Sequence, residues 1–158
     1  MALGGPGAAA MLPDMQSAES ASQVGNLLDR YLISLDDDKL DDEWARGLFT
    51  DDARVAFPMS RHEGVDGLAE YHRGALAAFE RTQHLNSPAV VEPRGADEVR
   101  LRANVISTHV RLDDGALFTA GTLVTGAARR TGEGWRLSAL SFRVIWTTGT
   151  PPAAEAAR

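Results

Sequence analysis

DEVRLRANVISTHVRL (97–112), ALFTAGTLVTGAARR (116–130) and WRLSALSFRVIWTT (135–148) follow one another with only turn residues between them, and their reading decides the fold. Asp113-Asp114-Gly115 ends the first run and Thr131-Gly132-Glu133-Gly134 the second; an Asp-Gly step between strand-forming residues is a hairpin signal. Each run exceeds the usual strand of about 5–6 residues, which predicts a sheet bent around something. Gly121 and Gly126 inside the middle run fit a bend, because interior glycines often mark bulges. A strongly curved antiparallel sheet needs a cover on its concave face, and the preceding chain offers three helices. The expected class is therefore α+β in one unit.

Working back towards the N-terminus, a helix is expected from about Ser20 to Leu35, where Val24, Leu27, Leu28, Tyr31 and Leu35 form one apolar stripe. A second helix is read in KLDDEWARGLF (39–49), with Leu40, Trp44 and Leu48 at spacing four, and a strand in ARVAFP (53–58). SRHEG (60–64) reads as an exposed loop with His62 in solvent. The third helix is expected over 65–81 with Val65, Leu68, His72, Leu76 and Phe79 on one face, and a further strand from about His84. The order is ααβαββββ. Residues 1–18 and 149–158, rich in small residues and proline, are expected to be disordered tails around a domain of residues 19–148.

Composition narrows the function classes. A length of 158 residues with 44% hydrophobic and 24% charged residues suits one soluble globular domain. There is no cysteine, hence no disulfide framework, thiolate metal site or cysteine nucleophile. The formal charge of −6 argues against binding a phosphate backbone, so no nucleic acid partner is expected. No apolar run approaches the roughly 18 residues of a membrane span, and no basic region precedes the apolar start as a secretory signal requires. No membrane association and a cytoplasmic location are expected.

Strand alternation sends Val99, Leu101, Ala103, Val105, Ser107 and His109 to one face of the first long run. His109 then joins Tyr31, His72 and His84 as a polar group directed inward by pattern. Imidazole exchanges protons near neutrality, and a histidine with a tyrosine or carboxylate in an apolar pocket is a competent acid–base set, worth roughly 10²–10⁴ in rate. A lone inward histidine or tyrosine is more often a satisfied core residue; four in one small domain are harder to explain so, since each needs its own partner. The histidines lack H-x-x-x-H or H-x-H spacing, so no metal is expected, and acid–base chemistry of this kind needs no cofactor. Arg143 shares the parity of Trp135, Leu137, Ala139, Ser141 and Ile145 and is expected to face inward as an oxygen or anion ligand.

LLDRYLISLDDDKLDDEWARGLFTDDARVAF (27–57), GVDGLAEYHRGALAAF (64–79), TQHLNSPAVVE (82–92) and GWRLSALSFRVIW (134–146) resemble successive signatures of the SnoaL-like branch of the NTF2-like superfamily. That resemblance implies a cone-shaped α+β barrel, three helices on a curved sheet enclosing an apolar pocket, commonly a homodimer. It implies a pocket tyrosine at Tyr31 and a histidine at His84, as in scytalone dehydratase and bile-acid 7α-dehydratase, an aspartate at Asp36 as in the latter, and a second histidine at His109 as in the former. His72 stands at about the place of a tyrosine in SnoaL-like cyclases. Departures are Leu32 in place of an aspartate, Phe49 in place of a second phenol, and no aspartate base in Ile106-Ser107-Thr108-His109.

The function so implied is a cofactor-free acid–base enzyme of specialised, polyketide-type metabolism that dehydrates, isomerises or cyclises a hydrophobic small molecule. His84, Tyr31, Asp36 and His109 are the expected catalytic set, and His72, Trp44, Phe49, Phe57 and Arg143 the expected pocket lining. Alternatives are an epoxide-opening cyclase and a non-catalytic binding or scaffold subunit.

Overall fold

The computed structural model describes residues 8–37 and 39–152. In chain order it contains α1 (Ala8–Ser34), α2 (Asp42–Leu48), β1 (Phe49–Phe57), β2 (Ser60–Glu63), α3 (Leu68–Leu76), β3 (Phe79–Asn86), β4 (Val90–Pro93), β5 (Glu98–Arg111), β6 (Leu117–Thr131) and β7 (Gly134–Thr148). The three long runs are β5, β6 and β7, joined by hairpins whose turn glycines Gly115 and Gly134 have φ of 72° and 106°. The strands form one seven-stranded sheet in the order β2-β1-β7-β6-β5-β3, with β4 also on β5. All pairs are antiparallel except β1 with β7.

The concave face is covered as the α1 stripe requires. Val24, Leu27, Leu28, Tyr31 and Leu35 are all buried, and they meet Val99, Leu101, Ala103 and Val105 of β5 in one core. Truncating such a side chain to alanine costs about 2–5 kcal/mol. The expected alternation of β5 holds along its length, because β5 pairs with β6 from Glu98↔Arg129 to Val110↔Leu117 without a register shift.

The glycines of β6 serve close approach. A Cβ on Gly121 would collide with the Trp146 ring, and one on Gly126 with the Ala139 carbonyl. The extra residues lie opposite, in β7: Ala127 pairs with Ala139 and Ala128 with Leu137, leaving Ser138 unmatched, and Ile145 is likewise skipped between Val144 and Trp146.

Several expectations are corrected here. The bulge at Ser138 flips the parity of β7, so Leu140 and Phe142 face the core with Trp135 and Leu137, while Arg143 is exposed on the convex side. SRHEG is no loop; Ser60–Glu63 pairs with β1, and with neither face fully buried it shows no apolar alternation. His62 is half-buried, stacked on Tyr71, with Nε2 donating to the Asp66 carbonyl at 2.8 Å. α3 ends at Leu76 because Phe79 already pairs with Arg111 in the sheet. Helix α1 begins at Ala8, so residues 8–18 are helical; residues 1–7 and 153–158 of the expected tails lie outside the described residues.

Candidate active site

Two polar clusters face the concave side. The first forms where α1 ends. The Asp36 amide closes a last turn on the Ile33 carbonyl at 3.1 Å, which carries the Asp36 carboxylate across to β3. There Oδ2 accepts the His84 backbone N–H at 2.9 Å, and Oδ1 accepts both His84 Nδ1–H at 2.7 Å and the Thr82 hydroxyl at 2.8 Å. A carboxylate can only accept, so His84 carries a proton on Nδ1, and in the neutral ring Nε2 is the lone pair. The His84 side chain is only 7% exposed, yet Nε2 has no partner among the described residues and is not sealed from solvent.

His109 completes this cluster from β5. Cross-strand pairing sets Thr82 opposite His109 and His84 opposite Ser107, so the two imidazoles are diagonal neighbours on one face, ring centroids 6.1 Å apart and nearly perpendicular. His109 Nδ1–H donates to the Phe118 carbonyl at 3.0 Å, and Phe79 and Phe118 flank the ring at 4.4 and 5.6 Å. Burial lowers the pKa of His109 more than the Phe118 carbonyl raises it. A neutral His109 with Nε2 open therefore stands beside His84.

The second cluster is closed. Tyr31 has no exposed surface and His72 is 1% exposed. His72 Nδ1–H donates to the Leu68 carbonyl at 2.8 Å, so its Nε2 accepts from the Tyr31 hydroxyl, also at 2.8 Å. Burial raises the Tyr31 pKa well above the ordinary phenol value, and burial pushes His72 down to about 4. Trp44, Phe49, Phe57 and Phe142 enclose the pair with ring centroids 5.0–6.4 Å from one or other ring. Trp44 is itself fixed by Nε1–H to the Ser34 hydroxyl at 2.7 Å.

The structure thus joins His84, Asp36 and His109, and separately Tyr31, His72, Trp44, Phe49 and Phe57. Tyr31 shares no hydrogen bond with His84, and Arg143 belongs to neither cluster. Thr82 and the aromatic flank of His109 went unnoticed in the sequence, although Thr82 shares the parity of His84. Among the described residues no group of three or more His, Cys, Asp or Glu is placed to hold a metal ion, and no helix is long and apolar enough to cross a membrane.

Comparison with known proteins supplies the lineage. A family model described as a SnoaL-like domain matches residues 16–141. Similar solved structures include a candidate scytalone dehydratase from Novosphingobium aromaticivorans, at 19% identity and TM-score 0.78, covering 91% of this chain and 99% of that one. A hexachlorocyclohexane dehydrochlorinase of LinA type 3 from Novosphingobium barchaimii has 16% identity and TM-score 0.77, covering 92% and 99%. An NTF2-like superfamily protein from Salmonella enterica has 17% identity and TM-score 0.74, covering 89% and 99%. Among curated proteins nothing matches the chain. The fold is shared with these structures, the family match spans most of the sequence, and the chain belongs to the SnoaL-like family.

Proposed function

We propose that this protein is a cofactor-free general acid–base enzyme that eliminates water from, or isomerises, a hydrophobic small molecule, with His84 as the base. The observation that carries this reading is the His84 Nδ1–H bond to Asp36 at 2.7 Å with Nε2 left open beside His109. In the proposed elimination, Nε2 takes the proton from a carbon next to a carbonyl. Asp36 stabilises the resulting imidazolium, and a carbon–carbon double bond forms as the neighbouring carbon–oxygen bond breaks. The imidazolium returns its proton to the departing oxygen, and water leaves. His109 accepts a hydrogen bond from the substrate through Nε2. Two of the similar structures are described as a dehydratase and a dehydrochlorinase, names for eliminations, which favours this chemistry over cyclisation.

Tyr31 and His72 form the rigid wall of the site in this proposal, since each is already hydrogen-bonded to the other. An epoxide-opening cyclase that used either as proton donor would have to break that bond first.

We also propose a homodimer through the convex face of the sheet. Leu85, Ile106 and Trp146 lie in one cross-strand row with Gly121 and are 61, 44 and 45% exposed, with Leu117 close by at 59%. An apolar row of this kind commonly marks a protein interface.

The catalytic reading is tested in D₂O with a panel of cyclic β-hydroxy ketones followed by NMR. Alkene formation or deuterium uptake that disappears in His84→Ala supports it; turnover that survives the loss of His84 removes it.

A further inference from the structure

The described arginines differ in their partners. Arg46, Arg81, Arg111, Arg129, Arg130 and Arg136 each lie within 4.0 Å of a carboxylate. Among the described residues Arg30, Arg54, Arg61, Arg73, Arg94, Arg100, Arg102 and Arg143 have no such partner, and five of these, Arg54, Arg61, Arg100, Arg102 and Arg143, are exposed on the sheet.

The sheet register gathers four of these, Arg54, Arg61, Arg100 and Arg102. One row across the convex face reads Glu92, Arg100, Ala127, Ala139, Arg54, Glu63, and the next reads Val90, Arg102, Thr125, Ser141, Ala56, Arg61. Small residues of β6 and β7 therefore form a floor, with arginines on β5 along one bank and on β1 and β2 along the other. The banks are three strand spacings apart, about 14 Å, and two long guanidinium side chains can converge on one ligand across such a floor. A depression of about 490 Å³ is found here, lined by Arg54, Arg61, Arg100, His62, Glu63 and the small floor residues. Three arginines face one glutamate in that lining, in a chain whose net charge is −6.

We infer that this cleft is a binding site for a small organic diphosphate, distinct from the histidine cluster on the opposite face of the sheet. The guanidinium fork matches phosphate oxygens in bidentate pairs, and two banks of arginine suit two adjoining phosphates better than one carboxylate. The volume exceeds what a diphosphate fills and lies within the range of small-molecule pockets, about 300–1,000 Å³. The organic part would lie on Ala127 and Ala139. The apolar row proposed for dimerisation is centred six residues along β5, at Ile106, about 20 Å away at the rise of an extended strand, so the two uses of the convex face do not compete.

The experiment is calorimetric titration of the full chain with pyrophosphate and, separately, with adenosine diphosphate, at low ionic strength, with sedimentation run in parallel. Binding at one site per chain is expected, about tenfold weaker in Arg54→Gln or Arg100→Gln, near the value of one charge-assisted bond, and unchanged in Arg81→Gln. Tighter binding of adenosine diphosphate would assign the floor to the organic part; equal binding would leave a site for the diphosphate alone. No binding by the wild type, or equal binding by the arginine variants, overturns the proposal. So does a fall in sedimenting mass of the arginine variants without any pyrophosphate binding, which would assign these arginines to contacts between copies.

Discussion

The histidine clusters on the concave side use one chemical device in opposite ways. His72, His84 and His109 each donate Nδ1–H to a fixed oxygen, from Leu68, Asp36 and Phe118 respectively. What differs is Nε2. In His72 it is capped by the Tyr31 hydroxyl within a box of aromatic rings, whereas in His84 and His109 it has no described partner. A buried imidazole with both nitrogens satisfied is a structural element. One with a clamped Nδ1 and an open Nε2 can take a proton, the role proposed for His84. A capped imidazole and an open one thus occupy the same sheet-and-helix sandwich, and burial alone does not distinguish them.

The widest separation between the clusters is expected in rate. His84→Gln keeps a polar side chain of similar size, yet kcat should fall by about 10²–10⁴ with little change in the urea melt. A comparable loss of stability would mean that His84 is structural after all and the contrast false.

The next effect is on stability and belongs to His72. An unfolded histidine takes its proton near pH 6.5, while folded His72 resists until about 4, because of burial and then the nearby His62. Between those values the unfolded chain binds more protons, so stability rises with pH. Its contribution is therefore complete above pH 6.5, is lost as the pH falls, and levels off below about 4. The full loss is on the order of 3 kcal/mol. Urea melts from pH 7 to pH 4 on the wild type and His72→Leu should show a slope that the variant lacks. Equal slopes would place the titration elsewhere.

How much of this was legible in the sequence follows from which signals are periodic. The α1 stripe and the alternation of β5 were readable because each element buries one regular face. Arg143 was misplaced because one unmatched residue, Ser138, reverses every later side chain of β7, and no residue type announces that bulge. Ser60–Glu63 has no fully buried face and so no pattern to read. The inward histidines were individually legible, but their partners were not, because the Tyr31–His72 bond spans 41 residues and the His84–Asp36 bond 48. Asp36 came into view only through family resemblance.

Tyr31→Phe sharpens the comparison from the closed side. It removes one hydroxyl and leaves His72 Nε2 buried without a donor, which should cost about 1–3 kcal/mol of stability. Turnover per folded molecule should stay within a few-fold of wild type. A fall of a hundredfold or more in kcat would show that the hydroxyl turns from His72 to the substrate, making the two clusters one site.

The smallest effect probes how firmly the open cluster is held. The Thr82 hydroxyl is one of three donors on Asp36, and it shares Oδ1 with the His84 ring. Thr82→Val preserves shape and removes that bond, worth about 1 kcal/mol. The carboxylate is then free to turn about the His84 backbone amide, and the ring loses part of its alignment. We expect kcat to fall several-fold while KM and the melting temperature stay put, and Thr82→Ser to restore the rate. A merely structural threonine would move the melt and leave kcat alone. If Thr82→Val changes neither, the two bonds from His84 suffice to fix Asp36, and the open site is more rigid than its exposure to solvent implies.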